Sequence, residues 1–266
     1  YEIKKNNGSR LVVEAWYASR DMQNTPPPTI SIIIPAYQAA GEIADCLESI
    51  VAQTFQEYEV IVVNDGSTDT TQAIVEHYNE RVRLINQNNL GRNPARNRGF
   101  REARGNFLLF CDADIIMEPT FLEKLVHALH AHPDASYAYS SFYYGKKAFR
   151  LWQFSAERLR AMPYIHTTSL IRREHFPGFD ESIQRLQDWD LWLTMLEQRH
   201  AGVWIPEYLF TIRTHRGELS KWFPSFALKI SWHRFGIRIA RIEAYRTAEA
   251  RIREKHHLGA SSRFFS

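Results

Sequence analysis

Asn106-Phe107-Leu108-Leu109-Phe110-Cys111-Asp112-Ala113-Asp114 is the stretch on which the reading of the fold turns. Five uninterrupted apolar residues, Phe107 to Cys111, read as a buried strand. Two carboxylates stand where that strand ends. At the carboxyl edge of a parallel strand, such a pair is placed to hold a divalent metal, with help from substrate phosphates. An isolated Asp-x-Asp triplet also fits a solvated loop, so the rest of the chain has to decide.

Upstream, strand and helix patterns alternate. Ile30 to Ile34 is apolar, β-branched and closed by Pro35. Ile43, Leu47, Ile50 and Val51 recur at helical spacing. Glu59 to Val63 is a second strand, and Asp69 with Gln72 has the spacing of a capping box for a helix to about Asn79. Val82 to Ile85 is a third strand. Pro94 begins a helix to about Arg104, and another runs from Pro119 to Ala131. Four strand–helix alternations predict an α/β fold with a mainly parallel, Rossmann-like sheet and helices on both faces. Ligands of such sheets bind at the carboxyl ends of the strands. Pro35-Ala36-Tyr37, Asn64-Asp65-Gly66-Ser67 and Cys111 to Asp114 are therefore expected on one edge. The second half is less regular. Strands are expected from Ser136 to Tyr144, Thr167 to Ile171, Gly202 to Ile205 and Tyr208 to Arg213, the last two separated by Pro206. A helix is expected from Asp188 to Glu197.

The 266 residues are enough for one large domain with appendages. Residues 1–29 read as an arm ending in the stiff spacer Pro26-Pro27-Pro28, 30–220 as the main domain and 221–266 as a tail. No apolar run approaches bilayer-spanning length, and the first residues lack the pattern of a signal peptide. The chain begins at Tyr1, which suits a fragment of something longer. Cys46 and Cys111 both lie in apolar segments and read as small buried hydrophobes in a reducing compartment. The net charge of +3 is unevenly divided: residues 221–266 hold ten Lys and Arg against three Glu. A nucleic-acid binder would spread basic residues along the sheet edge, so nucleic acid is not an expected partner.

Seven motifs now stand in order: Ile32-Ile-Ile-Pro-Ala-Tyr-Gln, Val62-Val-Asn-Asp-Gly-Ser-Thr-Asp, Asn89-Leu-Gly-Arg-Asn-Pro-Ala-Arg-Asn-Arg-Gly, Asp112-Ala-Asp, Gly178-Phe-Asp-Glu, Gln187-Asp-Trp-Asp-Leu-Trp and Arg213-Thr-His. Over about Ile30 to Ser220 the chain resembles glycosyltransferase family 2, inverting enzymes with the GT-A fold. The resemblance implies a nucleotide-sugar donor, a UDP-sugar first, and a hydroxyl acceptor on a glycan, a lipid-linked glycan or a protein. It implies that Asp65 accepts a hydrogen bond from the base, where the residues alone also allow an Asx-turn. Pro35 and Tyr37 flank the base, and Arg96 helps hold the nucleotide pocket. Asn97 and Gly99 are assigned to helix packing and close approach. Asp112 contacts the ribose or the metal, Asp114 ligates Mn²⁺ or Mg²⁺, and His215 is a further metal or diphosphate ligand in some members.

Asp188 is implied as the base that deprotonates the acceptor, with Asp190 as the alternative. Two positions apart on a helix do not share a face, so one of them is expected to meet the cleft. Family members have Glu before this aspartate. Gln187 here removes a neighbouring carboxylate and puts the acceptor in question.

The tail from Trp222 to about His257 pairs apolar residues with Lys229, Arg234, Arg238, Arg241 and Arg246. It reads as an amphipathic helix, either packed across the domain or lying on an anionic membrane surface through 221–257. The expected location is the cytoplasm, with any peripheral contact on the inner face of the membrane. The competing reading is a non-catalytic GT-A-like module that binds a nucleotide sugar or scaffolds partners at a membrane. A nucleotidyltransferase would show a Gly-rich basic loop after the first strand, and residues 35–41 contain neither Lys nor Arg.

Overall fold

The computed structural model describes residues 28–214 and 240–259. Residues 1–27 of the expected arm, His215 with 216–220 of the main domain, and 221–239 and 260–266 of the expected tail lie outside them. Nine strands join in one sheet in the order β3-β2-β1-β4-β8-β6-β9-β5, with β7 against β6. The strands are β1 (Ile30–Ala36), β2 (Tyr58–Asp65), β3 (Val82–Gln87), β4 (Phe107–Phe110), β5 (Ile115–Met117), β6 (Tyr137–Tyr144), β7 (Lys147–Phe149), β8 (Leu170–Arg172) and β9 (Gly202–Ile212). The helices are α1 (Ile43–Val51), α2 (Thr71–Glu76), α3 (Arg92–Glu102), α4 (Phe121–Ala131), α5 (Ala156–Ala161), α6 (Gln187–Glu197) and α7 (Ala240–Lys255).

Strand β1 is the axis of the sheet. Ile33 lies opposite Ile61 of β2 on one side and Phe110 of β4 on the other, both in parallel register. Its apolar residues divide between the two faces. Ile30, Ile32 and Ile34 join a core with Ile43 and Leu47 of α1 and Phe121 and Leu125 of α4. Ile33 joins a second core with Ala95 of α3 and Trp189 and Trp192 of α6. A strand covered on both faces reads as a continuous apolar run rather than an alternating one, which is why the pattern was legible.

The parallel arrangement stops at β4. Strand β8 runs antiparallel to both β4 and β6, and β9 pairs with β6 in parallel and with β5 antiparallel. The two strands expected around Pro206 are one strand. Its pairing moves from Ser140↔Ile205 to Ser141↔Tyr208, so Pro206 and Glu207 sit in an exposed bulge where no ladder hydrogen bond is required of proline. Strands β5 and β7 and helix α5 were not foreseen; three to six residues carry too little periodicity to be recognised. The capping box at Asp69 does not form. Asp69 accepts from the backbone N–H and hydroxyl of Thr71 and from the N–H of Ala40, while Gln72 donates to Glu76. The carboxylate thus ties the β1–α1 loop to the start of α2.

Glycine and asparagine let α3 approach the sheet. A Cβ on Gly99 would lie 2.4 Å from Ile33 Cγ2. Asn97 Nδ2 donates to the carbonyl of Phe179, and its Oδ1 accepts from the Phe179 N–H, both at 2.9 Å. Both residues therefore do the packing work expected of them.

Helix α7 packs on the body. Ile242 and Ile252 are buried, and the Arg253 guanidinium lies 5.4 Å from the Trp189 ring centroid while donating to the carbonyl of Ala161. Lys255 binds Asp180 at 2.7 Å and Asp190 at 2.8 Å. His256 reaches Asp190 through Nε2 and Glu197 through Nδ1, both at 2.8 Å. Burial opposes the imidazolium, but the hydrogen bonds to Asp190 and Glu197 outweigh it, and the His256 pKa is raised above its ordinary value. A raised folded-state pKa stabilises the fold in full below the unfolded value of about 6.5, and this contribution disappears as pH rises through the folded value. The melting temperature of wild type should therefore exceed that of His256→Gln most at about pH 6, with the gap narrowing towards pH 9. A gap constant across that range would show that the imidazolium does not fasten α7.

Candidate active site

Strands β1, β2 and β4 deliver their carboxyl ends to one edge. Pro35 and Ala36 pair with Val63 and Asn64, so Tyr37 and Asp65 emerge side by side. The Cys111 N–H donates to the carbonyl of Ile33 at 2.9 Å, and the chain then turns through Asp112 and Asp114 into β5. A cavity of about 690 Å³ opens there, lined by Pro35, Tyr37, Asp65, Asp112 and Asp114 together with Arg92 and His166. Tyr37 presents half its surface to solvent.

Asp65 is buried and well supplied with donors. Its Oδ1 accepts from Gln87 Nε2 and the Leu90 N–H, and its Oδ2 from the Gly91 N–H at 2.8 Å. A carboxylate oxygen accommodates about two donors, so Oδ2 keeps room for one from a ligand. Gly66 follows with φ +75°, and a Cβ there would lie 2.8 Å from the Asn89 nitrogen. Glycine thus serves both the left-handed turn and the close approach of the 88–91 loop that clasps Asp65.

Arg96 stands behind Asp112 rather than on the cavity wall. It is 1% exposed, donates from Nη2 to Asp112 Oδ1 at 2.6 Å and lies 5.0 Å from the Phe179 ring centroid. Arg92, one helical turn earlier, is exposed and 4.0 Å from Asp112 Oδ2. Burial alone would raise the Asp112 pKa; the charges of Arg96 and then Arg92 overcome it and hold the carboxyl below its usual range. Asp114 has no such partner among the described residues. Burial and then the neighbouring charge of Asp112 push it up to about 7. A half-compensated pair of carboxylates suits a hard divalent cation, which takes one or two protein carboxylates and completes its shell with phosphate oxygens and water. Among the described residues no three His, Cys, Asp or Glu side chains gather around a metal-sized space.

Asp188 is the second residue of α6, and its Oδ1 accepts from the Trp189 N–H. Burial raises its pKa, while the electrostatic influence of His166 and then Arg96 acts to lower it. Asp190 belongs elsewhere. It is 3% exposed and held by Lys255 and His256; neither aspartate is on the cavity wall. Two residues apart, the carboxylates leave different sides of α6, and it is Asp190 that bonds to Lys255 and His256.

Two wall residues escaped the sequence reading. Arg92 was within reach of it, because it lies four residues before Arg96 and so on the same helix face. His166 was not, since 162–169 has neither helix nor strand to lend it a pattern. Cys46 and Cys111 are free, buried and 3.7 Å apart; burial pushes the Cys111 thiol well up, away from the reactive thiolate.

The family model described as Glycosyl transferase family 2 matches residues 31–187, more than half of the chain. The chain belongs to that family. An uncharacterized glycosyltransferase of Rickettsia typhi is 30% identical over 212 residues, covering 73% of this chain and 66% of its own length. The uncharacterized glycosyltransferase YibD of Escherichia coli is 43% identical over 100 residues, 36% of this chain and 29% of its own. The chain thus spans less than two thirds of either relative. Among solved structures, S. aureus TarS in complex with UDP superposes with a TM-score of 0.62 at 20% identity, over 73% of this chain and 62% of TarS. A mannosyltransferase from Pyrobaculum calidifontis, in complex with GDP-Man and Mn²⁺, gives 0.60 at 20% identity over 92% of this chain and 78% of its own. These likenesses establish the GT-A fold.

Arg96→Met should destabilise the protein by about 2–4 kcal/mol, because it strands Asp112 beside Asp114 without its buried counter-charge. Asp112 has a depressed folded-state pKa, so the advantage of wild type is present above about pH 5 and is lost as pH falls through the folded value. Urea midpoints of the two proteins at pH 7 and at pH 3 measure it; equal midpoints at pH 7 would contradict it.

Proposed function

We propose that this chain transfers a sugar, with inversion, from a nucleotide-diphosphate donor to a hydroxyl acceptor. The observation that carries the proposal is the meeting of Asp65, Asp112 and Asp114 on one cavity, with Asp188 at the start of the helix that Trp192 ties to the segment of its wall residue His166. Asp65 retains one acceptor position for a base N–H. Arg92 offers positive charge beside the diphosphate, and Asp112, anchored by Arg96, meets the ribose. Asp112 and Asp114 would hold Mn²⁺ or Mg²⁺, which when bound neutralises charge growing on the departing diphosphate. UDP is the first choice of nucleotide, since TarS is solved with UDP and with UDP-GlcNAc; GDP is the second, given the mannosyltransferase complex.

The base is Asp188. Its raised pKa, caused by burial, makes the carboxylate a better proton acceptor than a solvated aspartate. It takes the proton of the acceptor hydroxyl as that oxygen bonds to the anomeric carbon. The bond from that carbon to the diphosphate oxygen breaks on the opposite side, releasing the nucleoside diphosphate. One displacement inverts the centre, so an α-linked donor yields a β-linked product. Asp190 is excluded from the role by its engagement with Lys255 and His256. The acceptor is a glycan, lipid-linked glycan or protein, and the basic stretch within 221–257 would suit an anionic membrane carrying a lipid-linked acceptor.

Thermal unfolding with UDP, GDP, dTDP and CDP, each with and without Mn²⁺, tests the donor site. One nucleotide, UDP first, should raise the midpoint by several degrees only with metal, and Asp114→Ala should abolish the shift. Asp188→Asn should keep that shift and lower the transfer rate by about 10²–10⁴. No shift with any nucleotide at millimolar concentration would overturn the reading. A shift with an unimpaired Asp188→Asn would overturn the assignment of the base.

A further inference from the structure

We infer that His166 binds the sugar of the donor, donating a hydrogen bond from Nε2 to a sugar oxygen, and so takes part in selecting which sugar is transferred. This rests on the transferase reading above and extends it to a residue that carries no motif.

The side chain is fixed from several directions. The Thr168 N–H donates to His166 Nδ1 at 3.1 Å. A backbone N–H can only donate, so Nδ1 holds the lone pair, the ring is neutral and its proton sits on Nε2. The ring centroid lies 5.6 Å from that of Phe142 and 5.4 Å from that of Phe210. Ser169 Oγ donates to the His166 carbonyl at 2.7 Å, and Trp192 Nε1 donates to the Ile165 carbonyl at 2.9 Å. The second of these bonds ties the histidine to α6, the helix that bears Asp188.

Only one polar atom of the ring is then left, and it has somewhere to go. No hydrogen bond from another described residue occupies Nε2, and the residue lines the cavity together with Asp112, Asp114 and Tyr144. Its ring responds to the charges of Asp112 and Asp188 alike. It lines the cavity with the carboxylate assigned to the ribose and metal, on a segment tied by the Trp192–Ile165 bond to the helix of the carboxylate assigned to the acceptor, and borders the interval between them. The sugar must occupy that interval, because the anomeric carbon lies between the departing and the attacking oxygens. The chemistry agrees. A diphosphate calls for charge, which Arg92 supplies, whereas a neutral, rigid N–H matches a hydroxyl. A site built to bond one hydroxyl discriminates against a sugar that lacks it or presents it with the other configuration.

The test compares wild type, His166→Leu and His166→Gln by calorimetric titration in Mn²⁺ with UDP and with UDP-GlcNAc, UDP-glucose and UDP-galactose. If the donor screen selects GDP, GDP and GDP-sugars replace them. His166→Leu should bind the free nucleotide within about threefold of wild type, yet bind the preferred nucleotide sugar about tenfold more weakly and lose preference among sugars. His166→Gln, which keeps an N–H near Nε2, should recover part of both. Retained nucleotide binding by His166→Leu also certifies its fold; should that variant fail to fold, His166→Gln and His166→Asn carry the comparison. Equal weakening of nucleotide and nucleotide sugar would place His166 on the nucleotide and overturn the inference. Unchanged sugar affinity and selectivity would reduce it to packing. Failure of wild type to bind any nucleotide is a separate result that removes the transferase reading itself.

Discussion

Strand β1 is hydrogen-bonded in parallel on both edges and covered by helices on both faces, and the placement of the site follows from that constraint. Parallel neighbours must end on the same edge, so the loops after β1, β2 and β4 meet whatever their own sequences prefer. The helices that return between those strands then bring α3 under the same edge, which is how Arg96 reaches Asp112 from a segment sixteen residues earlier. The small residues of α3, Ala95 and Gly99, let the helix lie close enough for that reach.

The electrostatics of the edge are deliberately unequal. Asp112 is matched to a buried guanidinium that holds its pKa down, whereas Asp114 faces the same carboxylate without a cation of its own among the described residues. Equal compensation would leave a neutral, finished network with nothing to offer a ligand. No compensation would drive one of the two carboxylates to protonate, since like charges in a partly buried space disfavour ionisation of both. One satisfied and one unsatisfied carboxylate suit the cation site proposed above, since the second keeps its charge available. Asp65 follows a related logic: three donors orient it and room for one more remains.

Helix α6 holds its two aspartates differently. Asp188 accepts from the Trp189 N–H at the start of the helix, while Asp190 is spent on fastening α7 through Lys255 and His256. The 100° step of the helix accounts for the division, since residues two apart emerge about 200° apart. The same interface joins the C-terminal helix to the element that bears the proposed base, so the described part of the tail is a structural member of the domain.

Much of this was legible in the chain itself. The apolar runs Ile30 to Ile34 and Phe107 to Phe110 announced buried parallel strands because a doubly covered strand needs no alternation. Asp65, Asp112 and Asp114 were visible as carboxylates placed just past such strands. The local pattern failed where pairing, rather than composition, decides structure. Pro206 looked like a strand end and proved to be a bulge, because only β6 across from it shows that its missing N–H costs nothing. Asp69 had the spacing of a cap and was diverted by Ala40 and Thr71. By itself the sequence determined the parallel half of the sheet, the edge on which the site lies and the carboxylates that face it, since these depend on the period and order of nearby residues. The tertiary structure alone decided that Arg96 is the partner of Asp112, that Asp190 belongs to α7 and that His166 enters the cavity. Each of those depends on contacts between segments distant in the chain, which no local periodicity records.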